Sequence, residues 1–204
     1  MYLYLKRLIV GGVDRVFEIG KVFRNEGKTL FVSQLLDTKD LPLKLPKGID
    51  QSHNPEFSSC EFYQAYGDFE QLIKMTEDIV TGMVKTVSGQ DNLVLRTGVN
   101  ESQTIVLNVP FARLSFVDTI AQATNFDLHG LLKDSDSVTI TNTLAELCQQ
   151  CHLPVVMPYT AATLLDKLGS LYVEPLCDFP TFITHHPLLM SPLAKANKEK
   201  VRHG

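Results

Sequence analysis

A chain of 204 residues, 44% hydrophobic and 21% charged, can bury one sizeable core or form part of a larger one, and this composition excludes an intrinsically disordered polymer. Its formal net charge of -4 argues against a globally basic nucleic-acid binder while allowing a local basic surface. No apolar run reaches membrane-helix length, and four cysteines without a secretory leader favour reduced thiols and a cytoplasmic location.

Leu3, Leu5, Leu8 and Ile9 recur at partly helical spacing, so Tyr2 to Val10 is expected to form a helix that Gly11-Gly12 stops. From Val13 to Gly27 the period becomes two. Val16, Glu18, Gly20, Val22 and Arg24 alternate with Arg15, Phe17, Ile19, Lys21 and Phe23, which predicts a strand. The stretch His53 to Tyr66 alternates in the same way, with Phe57, Ser59, Glu61, Tyr63 and Ala65 on one face. Paired as an antiparallel hairpin, the two strands would bring Arg24 and Glu26 towards Phe57, Glu61 and Tyr63. Such a set suits an anionic phosphate, a flat aromatic base and an ammonium group.

Beyond the hairpin, Asp68 with Gln71 spells a capping box for an apolar-faced helix running from Leu72 to Val87 and closed by Gly89, expected to pack on the sheet as scaffold. Thr104 to Val109 is a short strand candidate broken by Pro110. Helices are expected at Ser115 to Ala123, at Thr141 to Cys151, and at Ala161 to Tyr172 with Leu164, Leu165, Leu168 and Leu171 on one side; Thr181 to Thr184 alternates as a strand. A hairpin followed by helices between later strands predicts the α+β class, an antiparallel sheet flanked by helices. Neither GxGxxG nor GxxxxGKS/T occurs, which argues against a doubly wound nucleotide fold.

Cys148-Gln149-Gln150-Cys151-His152 has the CxxCH form of a haem attachment site, yet it reads as the end of an amphipathic helix. With Cys177 it forms no complete tetrahedral zinc set, so no metal site is expected. His185-His186 before Pro187 reads as a turn.

FRNEG, followed by HNPEF and CEFYQAY, resembles motif 2 of the class II aminoacyl-tRNA synthetases in its lysyl-tRNA synthetase form. LYLKRLIVGGVDRVFEIG before it, and PTFITHHPLLMSPLAK at Pro180 to Lys195 after it, resemble the same family in the same order. The resemblance implies that residues 1–204 are a partial class II catalytic domain. It implies ATP and Mg2+ as cofactors, lysine, ATP and tRNA as partners of the intact enzyme, and a cytoplasmic homodimer. The chemistry it implies is attack of the lysine carboxylate on the α-phosphorus of ATP, then transfer of the lysyl group to the terminal ribose of tRNA. Arg24 matches the arginine that meets the α-phosphate. Glu26, His53 and Asn54 would hold base and phosphates, Phe57 would stack on adenine, and Glu61 and Tyr63 match positions that hold the ammonium groups of lysine.

The sequence also departs from the family. Tyr2 stands where the family has a glutamate that helps recognise lysine. The later acidic metal ligands, a second lysine-sensing carboxylate, the motif 3 arginine, the motif 1 dimer interface and the anticodon-binding domain have no counterpart in these residues. The isolated chain is therefore expected to be inactive alone. A non-catalytic interaction or regulatory fragment, and a synthetase-like paralogue with another acceptor, are the alternative readings. Lys28 to Gly48 interrupts the motif 2 loop as an apolar insertion. Translation of a retained intron is favoured over a lid on ATP, because deleting the segment restores the short loop expected of the family.

Overall fold

The computed structural model describes residues 2–24, 54–90, 92–96 and 102–195. The insertion at 28–48, Glu26 and His53 lie outside the described residues. Two compact units divide the chain, Met1–Leu72 and Ile73–Gly204.

The first unit opens with helix α1 (Tyr2–Val10), whose Leu5 is buried. Its end is fixed by Gly12 at φ +96°, a left-handed conformation that costs glycine no Cβ clash, while Val13 N–H donates to the Leu8 carbonyl at 3.0 Å. Strands β1 (Arg15–Phe23) and β2 (Glu56–Gln64) then pair antiparallel without a bulge, from Arg15 opposite Gln64 to Phe23 opposite Glu56. The ladder continues past both ends. Arg24 N–H donates to the Pro55 carbonyl and Ala65 N–H to the Asp14 carbonyl, each at 2.9 Å. Exposure alternates along β1 as the period of two requires: Val16, Glu18, Gly20 and Val22 are half-buried, whereas Phe17, Ile19 and Phe23 remain 70%, 68% and 75% exposed. The hairpin thus has one sheltered face and one open apolar face.

Helix α2 (Phe69–Ser88) begins at the expected capping box, with Gln71 N–H donating to Asp68 Oδ1 at 2.7 Å and Asp68 N–H to Gln71 Oε1 at 3.4 Å. Gly89, at φ +71°, follows its last turn. Its apolar stripe is less covered than a scaffold helix requires. Ile73 and Glu77 are buried, but Met83 and Val87 stay exposed. Glu77 has a specific task, since its Oε1 accepts the Phe111 N–H at 2.8 Å in the interior.

In the second unit β3 (Asn92–Arg96) and β4 (Ser102–Val106) form an antiparallel pair. The strand expected at Thr104 to Val109 therefore starts two residues earlier, ends at Val106 and has a partner that its own pattern did not reveal. Strands β5 (Ala112–Ser115) and β6 (Thr181–Thr184) pair in parallel. Between them run α3 (Phe116–Thr124), α4 (Leu128–Asp134), α5 (Ser137–Gln150) and α6 (Ala161–Tyr172). The class is α+β, with two antiparallel pairs and one parallel pair among the described strands.

Side-chain caps set these helix starts. Asp136 accepts the N–H groups of Val138 and Thr139, which moves the start of α5 to Ser137 from the expected Thr141. Thr160 and Thr163 form a reciprocal capping box at α6. Ile120, Leu128, Leu144, Leu164, Leu165 and Leu168 are fully buried in one cluster, each contributing roughly 1.5–3 kcal/mol by transfer from water. Leu171, expected on the same side, is half-exposed. No helix among the described residues is long and apolar enough to cross a membrane.

Candidate functional site

The register of the hairpin decides which side chains share its sheltered face. Val22 lies opposite Phe57, Gly20 opposite Ser59, Glu18 opposite Glu61 and Val16 opposite Tyr63. Arg24 follows Val22 by two, on the same face. Its guanidinium carbon sits 5.1 Å from the centroid of the Phe57 ring. The structure thus brings Arg24, Phe57, Glu61 and Tyr63 to one face of one sheet, with the guanidinium and phenyl at one end and the carboxylate and phenol at the other.

Between those ends lies a low rung. Gly20 has no side chain, a Cβ there would meet nothing within 4 Å, and its opposite number is the small Ser59. A depression therefore separates the Phe57 rung from the Glu61 rung. At roughly 3.4 Å of rise per residue, the four-residue step from Phe57 to Glu61 covers about 13–14 Å.

Asn54 stands at the entrance to β2, where its Oδ1 accepts the Glu56 N–H at 3.4 Å in a local turn. On the opposite, open face Lys21 and Glu56 approach to 3.4 Å, an exposed pair contributing little.

Two further side chains bear on the face, and the motif itself did not single them out. Lys6 of α1 carries its ammonium 5.7 Å from the Tyr63 ring centroid. Glu18 stands directly across from Glu61. Both oxygens of the Glu61 carboxylate are shut away from water and have no hydrogen-bond partner among the described residues. Strand alternation alone could have marked Glu18 as a neighbour of the site, but the pairing offset was needed to set it against Glu61.

Elsewhere, the CxxCH segment is an ordinary helix end. Cys148 is buried in the core, its thiol pushed up chiefly by burial and then by neighbouring Cys151, and it donates to the Leu164 carbonyl at 3.7 Å. The neighbouring Cys151 thiol, and then burial, raises the Tyr172 phenol above its ordinary value. The described residues include no group of three His, Cys, Asp or Glu side chains that could hold a metal ion. His186 stacks on Phe116 with ring centroids 5.2 Å apart. An open cleft of about 560 Å3, lined by Asp78, Thr81, Gly82, Lys85, Leu107, Asn108 and Val109, contains none of the candidate residues.

A family model for tRNA synthetases class II (D, K and N) matches residues 1–30 and 47–203. The chain belongs to the class II tRNA synthetases. The break in this class II match, 31–46, falls within the atypical 28–48 segment. Among curated proteins, the chain is 40% identical over 201 residues to a probable cytoplasmic lysine–tRNA ligase of Encephalitozoon cuniculi, covering 97% of this chain and 35% of that protein. It is 38% identical to the lysine–tRNA ligase cla4 of Cladosporium cladosporioides, covering 97% of this chain and 30% of the relative. With a lysine–tRNA ligase of Streptococcus thermophilus it shares 36% identity, covering 98% and 34%. This class II chain thus spans about a third of the length of the curated relatives it matches.

Proposed function

We propose that the chain is part of a cytoplasmic lysine–tRNA ligase and that the sheltered face of its hairpin is the adenylate-forming surface. One observation carries the reading: the β1–β2 register gathers Arg24, Phe57, Glu61 and Tyr63 on a single face, guanidinium and phenyl at one end and carboxylate and phenol at the other. The relatives named as lysine–tRNA ligases support the choice of amino acid.

In the reaction, a carboxylate oxygen of lysine bonds to the α-phosphorus of ATP as the bond to the bridging oxygen breaks and pyrophosphate departs. The lysyl group then passes from AMP to a ribose hydroxyl of tRNA. This chain need supply no nucleophile. Its part is to align the reactants and to meet charge that grows on the phosphate oxygens, where a planar guanidinium serves better than an ammonium. Arg24 takes the α-phosphate and Phe57 the adenine, with Glu26, His53 and Asn54 as further ATP contacts. Glu61 and Tyr63 take the ammonium groups of lysine. Mg2+ would supply charge neutralisation on the phosphates in the intact enzyme, and tRNA and a second subunit would be its macromolecular partners.

Titration calorimetry of the chain with ATP tests the nucleotide end. Saturable binding that competes with AMP and is lost in Arg24→Ala is expected. Equal binding by wild type and Arg24→Ala would remove the hairpin face from the nucleotide site.

A further inference from the structure

Glu18 and Glu61 are directly opposed on the sheltered face of an antiparallel pair. At that spacing, about 4.5–5.5 Å between Cβ atoms, like charges destabilise the pairing. The sequence offers neutral alternatives at such a rung, since the neighbouring rungs carry glycine, serine, valine and tyrosine.

The second observation is independent of the charge count. Both Glu61 oxygens are removed from water, and no donor among the described residues reaches them. An unpartnered buried carboxylate is among the more costly features a fold can hold. Lys6, the near cation from α1, leaves the cost in place, because its ammonium rests over the Tyr63 ring instead of on either carboxylate. Beside this rung the Gly20–Ser59 depression leaves room for a ligand chain to lie along the face. Two carboxylates, one of them half-buried with both oxygens shut away from water, set against each other at the end of a trough, are complementary to one compact cation with several donors.

We propose that Glu18 is a specificity-determining residue: together with Glu61 it encloses the side-chain ammonium of a cationic amino acid, forming a two-carboxylate clamp across the strand pair. The inference rests on the reading of Glu61 and Tyr63 as amino-acid contacts and adds Glu18 to them. The clamp is built entirely within the hairpin. Like-charge repulsion across the rung becomes selectivity, because an uncharged side chain of the same length relieves neither the repulsion nor the desolvation.

Calorimetric titration of L-lysine and of L-norleucine into wild-type chain, Glu18→Gln and Glu61→Gln tests this, with thermal unfolding of each ligand-free protein in parallel. Glu18→Gln is expected to weaken L-lysine binding about tenfold or more, the scale of a hydrogen bond to a charged group, and to leave L-norleucine within twofold. It should also raise the ligand-free Tm, whereas a glutamate with a merely structural role would lower it on neutralisation. A tenfold loss in Glu61→Gln with no change in Glu18→Gln overturns the clamp and leaves the amino-acid reading intact. Failure of the wild-type chain to prefer lysine over norleucine overturns both.

Discussion

The guanidinium of Arg24 stands over the ring of Phe57, 5.1 Å from its centroid, so the two groups proposed to take phosphate and adenine occupy each other. Magnitudes decide which contact survives nucleotide binding. An exposed cation–π contact contributes about 0.5–1 kcal/mol, whereas stacking of a base on an aromatic side chain contributes about 1–3 kcal/mol. On the proposed assignment, adenine should therefore displace the guanidinium and free it for phosphate. Phe57→Leu should weaken ATP binding by about 1–3 kcal/mol while leaving inorganic triphosphate unchanged, and Arg24→Ala should weaken both. Parallel titrations with ATP and triphosphate separate these outcomes; loss of triphosphate affinity in Phe57→Leu would contradict the division of labour.

The low rung at Gly20 predicts a binding defect without a folding defect. A Cβ at this position meets nothing within 4 Å, and a strand interior favours a β-branched residue over glycine. Gly20→Val should keep or slightly raise Tm. It should lower L-lysine affinity by at least about tenfold, since the new methyl groups fill the trough between the Phe57 and Glu61 rungs and overpacking costs about 1–3 kcal/mol. Unaltered lysine affinity in a folded Gly20→Val chain would show that the ligand does not lie along this face.

How much of this was legible beforehand follows from what each pattern encodes. Alternation in β1 exposed which residues share a face, because one face is sheltered and the other open. It could not tell which residues oppose one another. That depends on the pairing offset across a long connection, so the opposition of Glu18 to Glu61 emerged only with the register. Helix α6 was readable to its boundaries because its cap and its buried leucines agree. The four-residue β5 and seven-residue α4 were missed, being too short to repeat a period, and α5 began earlier than expected because Asp136 caps a first turn that ends at the buried Ile140, one residue before the expected start. The apolar stripe of α2 was visible, but its incomplete burial was not, since periodicity says which face is apolar and not what covers it.

In the second unit, Gly169 is required by the approach of α6 to Phe116. A Cβ at 169 would lie 2.6 Å from Phe116 Cε2 and 3.0 Å from Cζ. The ring cannot easily yield, because Phe116 is buried and stacks on His186. Alanine gains about 1 kcal/mol in helix propensity over glycine, against an overpacking cost of about 1–3 kcal/mol. Gly169→Ala should therefore be net destabilising, with a lower urea midpoint at unchanged m-value. Adding Phe116→Leu should recover part of the loss, and strict additivity in that double-mutant cycle would rule out the clash as its cause.

Asp136 predicts an acid-sensitive start to α5. Its carboxylate is held below its ordinary value near 3.8, first by the Thr139 N–H, then by the Thr139 hydroxyl and the Val138 N–H. These donors lie at 3.0, 2.9 and 2.8 Å. Because the folded value is the lower one, the unfolded chain binds more protons between the two values, so stability rises with pH across that interval. The contribution is fully present above the ordinary value and is lost as pH falls through the depressed folded value. Asp136→Asn retains an oxygen that accepts the helix N–H groups but removes the titration. Thermal unfolding from pH 2 to pH 6 should therefore give a shallower Tm profile for Asp136→Asn than for the wild type, with the two curves converging towards the acid end. Curves that run parallel throughout would exclude a charged cap at Asp136 as a source of acid sensitivity.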